Sequence, residues 1–320
     1  MTDVLILGGT GWLSARIAGH WRDHGAAVTC LARGTRPAPE GTVLVRGDRE
    51  DASTYADLAR REWDHVVDVS SQAAHVDRAV EMLGDRAARW TYVSSVSVYS
   101  DDETVGADEA VPRHPAAAPG DEYEYAAQKV AAEDAVARLG ERALVVRPGL
   151  IVGDGDPSDR FGYWSAAFAR ADADTVLLPP LDGRSAQLID VDDLAEYIVT
   201  ARGSGAVNAV GDERPLVDVL QSVRAASGHT GATVVADEEW LIAHGVDHWS
   251  GPHSLPLWFP PEMTGFMTRS NAAFHESGGV LRPLVDTIER VLADERERGL
   301  DRERRAGLTR AQERALLADR

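Results

Sequence analysis

Short apolar runs alternate with amphipathic stretches through the first half of the chain. The predicted strands, each rich in Val, Ile or Leu or in aromatic residues, are residues 4–7, 27–31, 43–45, 65–69, 90–94 and 143–146. The predicted helices, which follow a helical spacing of apolar positions, are residues 12–24, 58–63, 76–83 and 123–139. Strands that alternate with helices form a parallel sheet with helices on both faces, so the pattern predicts an α/β fold with a doubly wound parallel sheet.

The alternation loosens after Pro148. Residues 153–183 are rich in Asp, Gly, Pro and aromatic residues, and clear strand-helix repeats are missing from them. We therefore predict a first domain over residues 1–152 and a smaller, mainly separate region over residues 153–320. Within that second region, residues 186–202 are expected to return to the sheet of the first domain.

The formal net charge of −19 limits the classes of partner. Nucleic acids and anionic membranes bind clustered positive charge, so we expect neither as a partner. No run approaches the roughly 18 apolar residues of a membrane span, and the first residues lack the pattern of a signal peptide. Cys30 is the single cysteine, which excludes an internal disulfide and fits a reducing cytoplasm. We expect a cytoplasmic protein, and no spacing of residues suggests a metal site.

A glycine-rich loop joins the first predicted strand to the first predicted helix. Its sequence is Gly8-Gly9-Thr10-Gly11-Trp12-Leu13-Ser14. Glycine lets the backbone turn tightly and approach a pyrophosphate, while the helix N-terminus offers N–H groups and a partial positive charge. At this place in a βαβ pattern the loop indicates a Rossmann-type dinucleotide site, although a plain strand-helix turn is the alternative. The expected cofactor contacts in it are Gly8, Thr10, Gly11, Trp12 and Leu13.

The end of the second predicted strand bears on the choice of cofactor. An NAD site usually has a carboxylate there for the ribose 2′-hydroxyl. This chain instead has Arg33 and Arg36 and no carboxylate. A guanidinium matches a 2′-phosphate in charge and geometry. The sequence therefore favours NADP(H), with NAD(H) as the alternative.

Tyr125 and Lys129 form a Y-x-x-x-K motif on the long predicted helix. Residues four apart share a helix face, so the phenol and the ammonium can reach one pocket. Lys129 is also the only lysine in a chain whose other long basic residues are all arginine, which suggests that arginine cannot replace it. A tyrosine acid/base needs its pKa lowered from about 10 towards 7, which takes roughly 4 kcal/mol, and a neighbouring ammonium favours the phenolate.

These motifs, with Arg147-Pro148-Gly149-Leu150-Ile151-Val152-Gly153, resemble the extended short-chain dehydrogenases/reductases of the NAD-dependent epimerase/dehydratase type. Residues 147–164 and 189–195 also look like an actinobacterial group with isoflavone-reductase-like labels. The resemblance implies a catalytic serine at Ser95, with Ser94 and Ser97 as alternatives. It also implies further cofactor contacts, which are Asp48 at the adenine, Ser70, Lys129, and Pro148 and Leu150 at the nicotinamide.

The sequence departs from the family's pattern at three places. Ser14 replaces the usual third glycine of the loop, where a hydroxymethyl group is expected to crowd the helix-strand contact slightly. Asp68 replaces the usual histidine of the fourth strand, and Ser70-Ser71 replaces the usual alanine pair. These departures argue against a direct assignment to nucleotide-sugar substrates.

The leading hypothesis is an NADP(H)-dependent oxidoreductase that interconverts a carbonyl and an alcohol on a small organic molecule. Tyr125 is the expected general acid/base, Lys129 its support, and Ser95 the group that steadies the substrate oxygen. A redox-neutral epimerase or dehydratase is the alternative, and a non-catalytic dinucleotide sensor is a remote one. The candidate substrate contacts, for each of which burial in the core is the alternative, are Ser97, Arg160, Tyr163, Trp164, Trp249, His253 and Trp258. The Tyr125 helix could also build a homodimer, as it does in relatives.

Overall fold

The computed structural model describes residues 1–170 and 174–320. Its strands within these ranges are β1 (Asp3–Leu7), β2 (Ala27–Ala32), β3 (Val43–Arg46), β4 (Trp63–Asp68), β5 (Ala87–Val93), β6 (Ala143–Pro148), β7 (Leu150–Val152), β8 (Val176–Leu178), β9 (Ser185–Ala186), β10 (Leu188–Asp190), β11 (Gly205–Ala209), β12 (Arg214–Pro215), β13 (Thr233–Val235), β14 (Asp247–His248) and β15 (Ser254–Leu255). Its α-helices are α1 (Trp12–Asp23), α2 (Ala73–Leu83), α3 (Tyr125–Ala137), α4 (Arg160–Ala169), α5 (Val191–Thr200), α6 (Leu216–Ser227), α7 (Glu238–Ala243), α8 (Ala272–Glu276), α9 (Leu284–Arg298) and α10 (Arg310–Ala318).

A seven-stranded parallel sheet in the order β11-β6-β5-β4-β1-β2-β3 forms the centre of the fold. The order reverses beside β1, which is the mark of a doubly wound Rossmann-type sheet. Val4, Leu5, Ile6 and Leu7 of β1 are all fully buried, because helices cover both faces of the sheet. The predicted fold class is confirmed.

Pairs of helices cover the sheet. Helix α1 packs against α5, and α2 packs against α3. The α2–α3 side encloses an apolar cluster that includes Trp63, Trp90 and Leu83. None of the described helices is both long and apolar enough to cross a membrane.

Contacts divide the chain into two compact units. Unit 1 comprises residues 1–151, 191–211 and 269–281, and unit 2 comprises residues 152–190, 212–268 and 282–320. The strand that extends the sheet beside β6 is β11, which begins three residues after the predicted returning segment 186–202. This strand reads Gly-Ala-Val-Asn-Ala, so it lacks the apolar run that marks the other strands.

Residues 269–281, which the sequence placed in the second region, belong to unit 1. Phe274 of α8 packs on Tyr197 with ring centroids 4.7 Å apart, and the hydroxyls of Tyr197 and Ser277 are 2.7 Å apart. These contacts join positions about 80 residues apart in the chain. Local sequence patterns do not indicate contacts between such distant positions, so the sequence could not assign residues 269–281 to the first unit.

Unit 2 is built around three helices and small strand pairs. Helices α4, α6 and α9 pack on one another. Strand β8 pairs with β13, β9 with β12 and β14 with β15. A buried carboxylate, Glu295 of α9, accepts hydrogen bonds from the arginines Arg302 and Arg304. Charge pairing therefore supplements the apolar core of this unit, which includes Phe161, Trp164 and Trp258.

Ser14 fixes the turn between β1 and α1. Its buried hydroxyl accepts a hydrogen bond from Gly11 N at 2.9 Å and donates one to Gly8 O at 2.7 Å. The hydroxymethyl group therefore closes the turn with hydrogen bonds, whereas the sequence led us to expect only slight crowding. The loop keeps its shape although the family's usual third glycine is missing.

We predict that Ser14→Ala lowers the free energy of unfolding by about 1 kcal/mol, because Gly11 N–H and Gly8 C=O both lose their hydrogen bond to the hydroxyl and keep the longer bond to each other at 3.3 Å. Urea titration of wild type and variant measures this change. Ser222→Ala is the matched control, since the Ser222 hydroxyl makes one exposed bond to Asp218 O on α6. Equal stability of Ser14→Ala and wild type would contradict this role for the hydroxyl.

Candidate active site

A cleft of about 480 Å³ opens in unit 1 at the carboxyl ends of β1, β2, β3 and β4. In doubly wound sheets this edge is where ligands bind. The predicted cofactor contacts that line the cleft are Gly8, Thr10, Gly11, Arg33, Arg36, Asp48 and Ser70. The other lining residues are Leu7, Leu31, Ala32, Thr35, Gly47, Arg49, Glu50, Val69, Ser71, Gln72 and His75.

Five predicted cofactor contacts lie outside that lining, among the residues that the structure describes: Lys129, which is described below, and four others. Trp12 and Leu13 stand half-buried in the first turn of α1. Pro148 ends β6 and Leu150 begins β7, and both side chains are buried. The cleft therefore brings together the contacts expected at the phosphate and adenine end, while those expected at the nicotinamide end are not among its walls.

The glycine loop gives the cleft a narrow backbone wall. Gly8 has φ +88° and donates its N–H to Leu31 O at 2.9 Å, which ties the loop to β2. A Cβ at Gly9 would lie 2.6 Å from both Cβ and Sγ of Cys30, so only glycine fits there. This cradle of bare backbone beside the N-terminus of α1 fits the pyrophosphate of a dinucleotide.

The opposite wall carries charged side chains of both signs. Arg33 and Arg36 are exposed where the chain leaves β2, and both face the cleft. Asp48 is exposed after β3, and its carboxylate accepts a hydrogen bond from Glu50 N at 3.0 Å. The carboxylate thus has a local structural role in addition to its place on the cleft wall.

Lys129 lies buried beneath the cleft with 3% of its surface exposed. Its ammonium donates to Ser70 O at 2.9 Å and to Val93 O at 2.7 Å. Because Ser70 lines the cleft, one of these bonds reaches the cleft wall. Burial lowers the pKa of Lys129 to about 7, against the opposing negative charges of Asp68 and Glu133. The side chain therefore titrates near neutrality.

Two tyrosine rings flank the ammonium. The Tyr92 ring centroid is 4.8 Å from Lys129 Nζ, and the Tyr125 ring centroid is 5.9 Å from it. The Tyr92 hydroxyl is buried and donates to Ser70 O at 3.0 Å, whereas Tyr125 is 41% exposed. Burial also raises the pKa of Tyr92 well above its ordinary value, so that phenol stays neutral. Tyr125 is the phenol that can reach a bound molecule.

The start of α3 positions Tyr125. Glu124 caps the helix, since its carboxylate accepts hydrogen bonds from Ala126 N at 3.0 Å and Ala127 N at 2.6 Å. Tyr125 is therefore the first residue of α3, and Lys129 follows one turn later on the same face. The predicted placement of the pair on one helix is what the structure has.

Glu133, a further turn along α3, anchors the helix from below. Its buried carboxylate accepts hydrogen bonds from Ser94 Oγ at 2.6 Å, from Arg147 Nε at 2.9 Å and Nη2 at 2.7 Å, and from Arg113 Nη1 at 2.9 Å. Ser94 follows β5 and Arg147 belongs to β6. The network fixes α3 on the ends of two strands, and with it the positions of Tyr125 and Lys129.

The three candidate serines have different partners. Ser94 is committed to Glu133, as described above. Ser95 is almost buried. Its hydroxyl accepts a hydrogen bond from Ser97 N at 3.1 Å and donates one to Ser97 Oγ at 3.1 Å. Ser97 is half-buried. Ser95 and Ser97 therefore form one hydroxyl pair at the end of β5.

Three of the six candidate substrate contacts in unit 2 are core residues, and the other three, Arg160, Trp249 and His253, are half-buried. Tyr163, Trp164 and Trp258 are fully buried, and Trp164 Nε1 donates to Pro256 O at 2.8 Å. These three side chains are buried in the core, which was the alternative to substrate contact, because α4 and the segment around Trp258 hold them inside unit 2. Arg160 is half-buried with its guanidinium 4.4 Å above the Trp249 ring, and His253 is half-buried with φ +61°.

A buried ion pair that sequence reasoning missed lies in the cleft wall. Arg49 donates to both oxygens of Asp68, at 2.7 and 2.6 Å, to the Tyr55 hydroxyl at 3.1 Å and to His75 O at 2.8 Å. Asp68 is fully buried at the end of β4. A carboxylate in an apolar strand requires a buried cation, which was the available signal, but the sequence does not tell which arginine supplies it.

The comparisons with known proteins agree with this geometry. The NAD dependent epimerase/dehydratase family matches residues 4–211 of the chain. No curated protein sequence matches it. A Burkholderia cenocepacia J2315 protein designated an epimerase is similar in fold, with TM-score 0.73, 21% identity, and 92% of this chain and 98% of that chain covered.

Two further solved structures are similar over nearly the whole chain. The Bordetella bronchiseptica enzyme WbmH, in complex with NAD⁺, has TM-score 0.66 and 17% identity, with 93% of this chain and 99% of that chain covered. The UDP-glucose 4-epimerase of Thermus thermophilus, in complex with NAD, has TM-score 0.65 and 19% identity, with 92% and 99% covered. At these identities the likeness concerns the fold, and the actinobacterial subgroup stays a prediction. The sequence match over residues 4–211 shows that this chain belongs to the NAD-dependent epimerase/dehydratase family.

Proposed function

We propose that the protein is an NAD(P)-dependent oxidoreductase that interconverts a carbonyl and an alcohol on a small organic substrate. The observation that carries this proposal is the place of Lys129, the only lysine of the chain. Its buried ammonium binds the carbonyl of Ser70, a residue of the cleft wall, and lies 5.9 Å from the ring centroid of the exposed Tyr125. A cation, a phenol and a nucleotide-sized cleft are the parts that this chemistry requires.

The cleft residues support a nicotinamide cofactor. Gly8, Thr10 and Gly11 would hold its pyrophosphate, and Ser70 would hold a ribose near Lys129. When bound, the nicotinamide ring supplies or accepts the hydride. The remaining tasks, which are binding, orienting and moving one proton, fall to the side chains of this chain.

Tyr125 is the proposed general acid/base. Its exposed phenol donates a proton to the substrate oxygen during reduction and takes it back during oxidation. The Lys129 ammonium favours the phenolate form through its charge. Ser95, paired with Ser97 at the end of β5, would steady the substrate oxygen through its hydroxyl.

NADP(H) is the proposed preferred nucleotide. Arg33 and Arg36 are exposed on the cleft wall after β2, where the 2′-substituent of the adenosine ribose lies in this fold. Two guanidiniums complement a 2′-phosphate better than a 2′-hydroxyl. The neighbours that were solved with NAD leave this preference open, since they differ from this chain at most positions.

A redox-neutral epimerase or dehydratase is the second candidate. The family match and the solved epimerases with similar folds favour it. Both candidates share the same first step, the transfer of a hydride to or from a carbon that bears oxygen. They differ in the redox state of the nucleotide after one turnover. An oxidoreductase leaves the nucleotide oxidised or reduced, whereas an epimerase or dehydratase returns it to its starting state.

The place of action that we propose is the cytoplasm, with a small molecule as the main partner. The net charge of −19 and the single, fully buried cysteine support this proposal. A homodimer through α3 remains part of the proposal, as it follows from the resemblance.

We predict tighter binding of NADPH than of NADH, because Arg33 and Arg36 meet the 2′-phosphate with opposite charge. Arg33→Asp should cost about 1–3 kcal/mol of NADPH binding, the range of a hydrogen bond to a charged group. Fluorescence titration of both nucleotides measures the affinities. Arg60→Asp is the matched control, since Arg60 is exposed and outside the cleft lining. Equal affinities for the two nucleotides in the wild type would rule out the preference.

We predict that Tyr125→Phe lowers turnover by about a hundredfold or more and spares nucleotide binding, since only the acid/base oxygen is lost. Lys129→Arg should also lower turnover strongly, because the planar guanidinium cannot replace a compact buried ammonium. The matched control is Tyr123→Phe, whose ring is 59% exposed two residues earlier. NADPH-dependent reduction of a panel of aldehydes and ketones measures the rates.

The same assay separates the two candidates. An oxidoreductase consumes NADPH in proportion to product, whereas an epimerase or dehydratase converts substrate with no net change in nucleotide absorbance. Full activity of both Tyr125→Phe and Lys129→Arg would exclude the proposed chemistry in either form.

A further inference from the structure

The pair of Arg49 and Asp68 joins the wall of the cleft to Lys129 through the backbone of one residue, Ser70. Asp68 Oδ1 accepts a hydrogen bond from Ser70 N at 2.9 Å. The carbonyl of Ser70 accepts hydrogen bonds from Lys129 Nζ at 2.9 Å and from the Tyr92 hydroxyl at 3.0 Å. A carboxylate, a backbone segment and an ammonium are thus connected in series.

Arg49 holds the other end of this series. Its guanidinium binds both carboxylate oxygens of Asp68, and the residue itself lines the cleft. Tyr55 and the carbonyl of His75 bind the same guanidinium, so Arg49 cannot rotate away without losing four hydrogen bonds. The carboxylate of Asp68 is therefore fixed in both position and direction.

Such a pair is not needed for the stability of the wall. Two apolar residues of similar size are often about as stable as a buried ion pair, whereas loss of one partner alone leaves an uncompensated buried charge. Stability alone therefore gives little reason to place a carboxylate at the end of β4. A function of the negative charge itself gives a reason.

We propose that Asp68 is a positioning residue for Lys129: it holds the backbone of Ser70, whose carbonyl binds the ammonium, and it supplies a negative charge that favours the charged form of that ammonium. Arg49 holds the Asp68 carboxylate in place. This inference rests on the proposed function of Lys129, which it deepens. Asp68 does not need to touch the substrate or the cofactor, because it acts through Ser70 and through charge.

The other charged and titratable groups around the ammonium are known from the structure. Glu133 and Tyr125 face it from α3, and Tyr92 faces it from β5. Glu133 is already bound by two arginines, Arg113 and Arg147. Asp68 is paired with one arginine, Arg49. Substitution of Arg49 or Asp68 should therefore change the pKa of Lys129.

The single lysine makes the test direct. Growth on lysine labelled with ¹³C at Cε gives one side-chain methylene signal, and its shift against pH reports the titration midpoint of Lys129. The measurement uses the full chain without nucleotide or substrate. Its outcome is therefore independent of whether the proposed oxidoreductase activity is correct.

Asp68→Asn should lower the midpoint by about one pH unit, because it removes an opposite charge that raises the pKa of Lys129. Arg49→Gln should raise it, because the Asp68 charge is then less compensated. The double variant Arg49→Gln/Asp68→Asn leaves neither partner of the pair as an unpaired buried charge. Its Lys129 titration midpoint should again be lower than that of the wild type. A purely structural pair would not move the midpoint in opposite directions in the two single variants.

Glu313→Gln is the matched control. It breaks the buried pair of Arg170 and Glu313 in unit 2, and it should leave the Lys129 midpoint unchanged. Circular dichroism checks that each variant is folded. The proposal is overturned if any folded variant of the pair keeps the wild-type midpoint. It is overturned as well if none of the three variants folds, since the pair would then be structural.

Discussion

The burial of one ammonium group constrains the centre of this protein. Lys129 is 3% exposed, and an isolated buried cation is costly unless hydrogen bonds and opposite charges compensate it. Two backbone carbonyls, those of Ser70 and Val93, bind it directly, and two carboxylates act on it from a distance. Val93 ends β5, and Ser70 follows the end of the neighbouring strand β4 by two residues, so the parallel pairing of these strands brings the two carbonyls to the ammonium. The fold and the candidate chemistry therefore depend on each other.

Much of this architecture follows from sequence alone. The alternation of apolar runs and amphipathic stretches predicted the doubly wound sheet, because buried parallel strands are apolar on both faces. The glycine loop at the end of the first predicted strand predicted a dinucleotide site, and the structure has a cleft there. Only glycine fits at position 9, beside Cys30. The spacing of Tyr125 and Lys129 placed both on one face of α3. These features are local, and each is encoded within a few residues.

Features that depend on distant contacts could not be predicted in the same way. β11 reads as Gly-Ala-Val-Asn-Ala, and only its pairing with β6 makes it a strand. Arg49 and Asp68 are 19 residues apart, and nothing local indicates that they meet. Tyr163 and Trp258 were candidate ligand contacts with burial in the core as the alternative, and the packing of unit 2 decides for the core. Ser14 looked like a slight defect until its hydrogen bonds to Gly8 and Gly11 were seen.

The central claim is that Lys129 acts at a nucleotide bound in the cleft of unit 1. The most direct test is the single ¹³Cε-lysine signal during a titration with NADPH at constant pH. We predict that the signal moves in step with nucleotide binding, because Ser70 joins the ammonium to the cleft wall. If NADPH and NADH both bind and the Lys129 signal stays where it was, the nucleotide and the lysine belong to separate sites and the account is wrong.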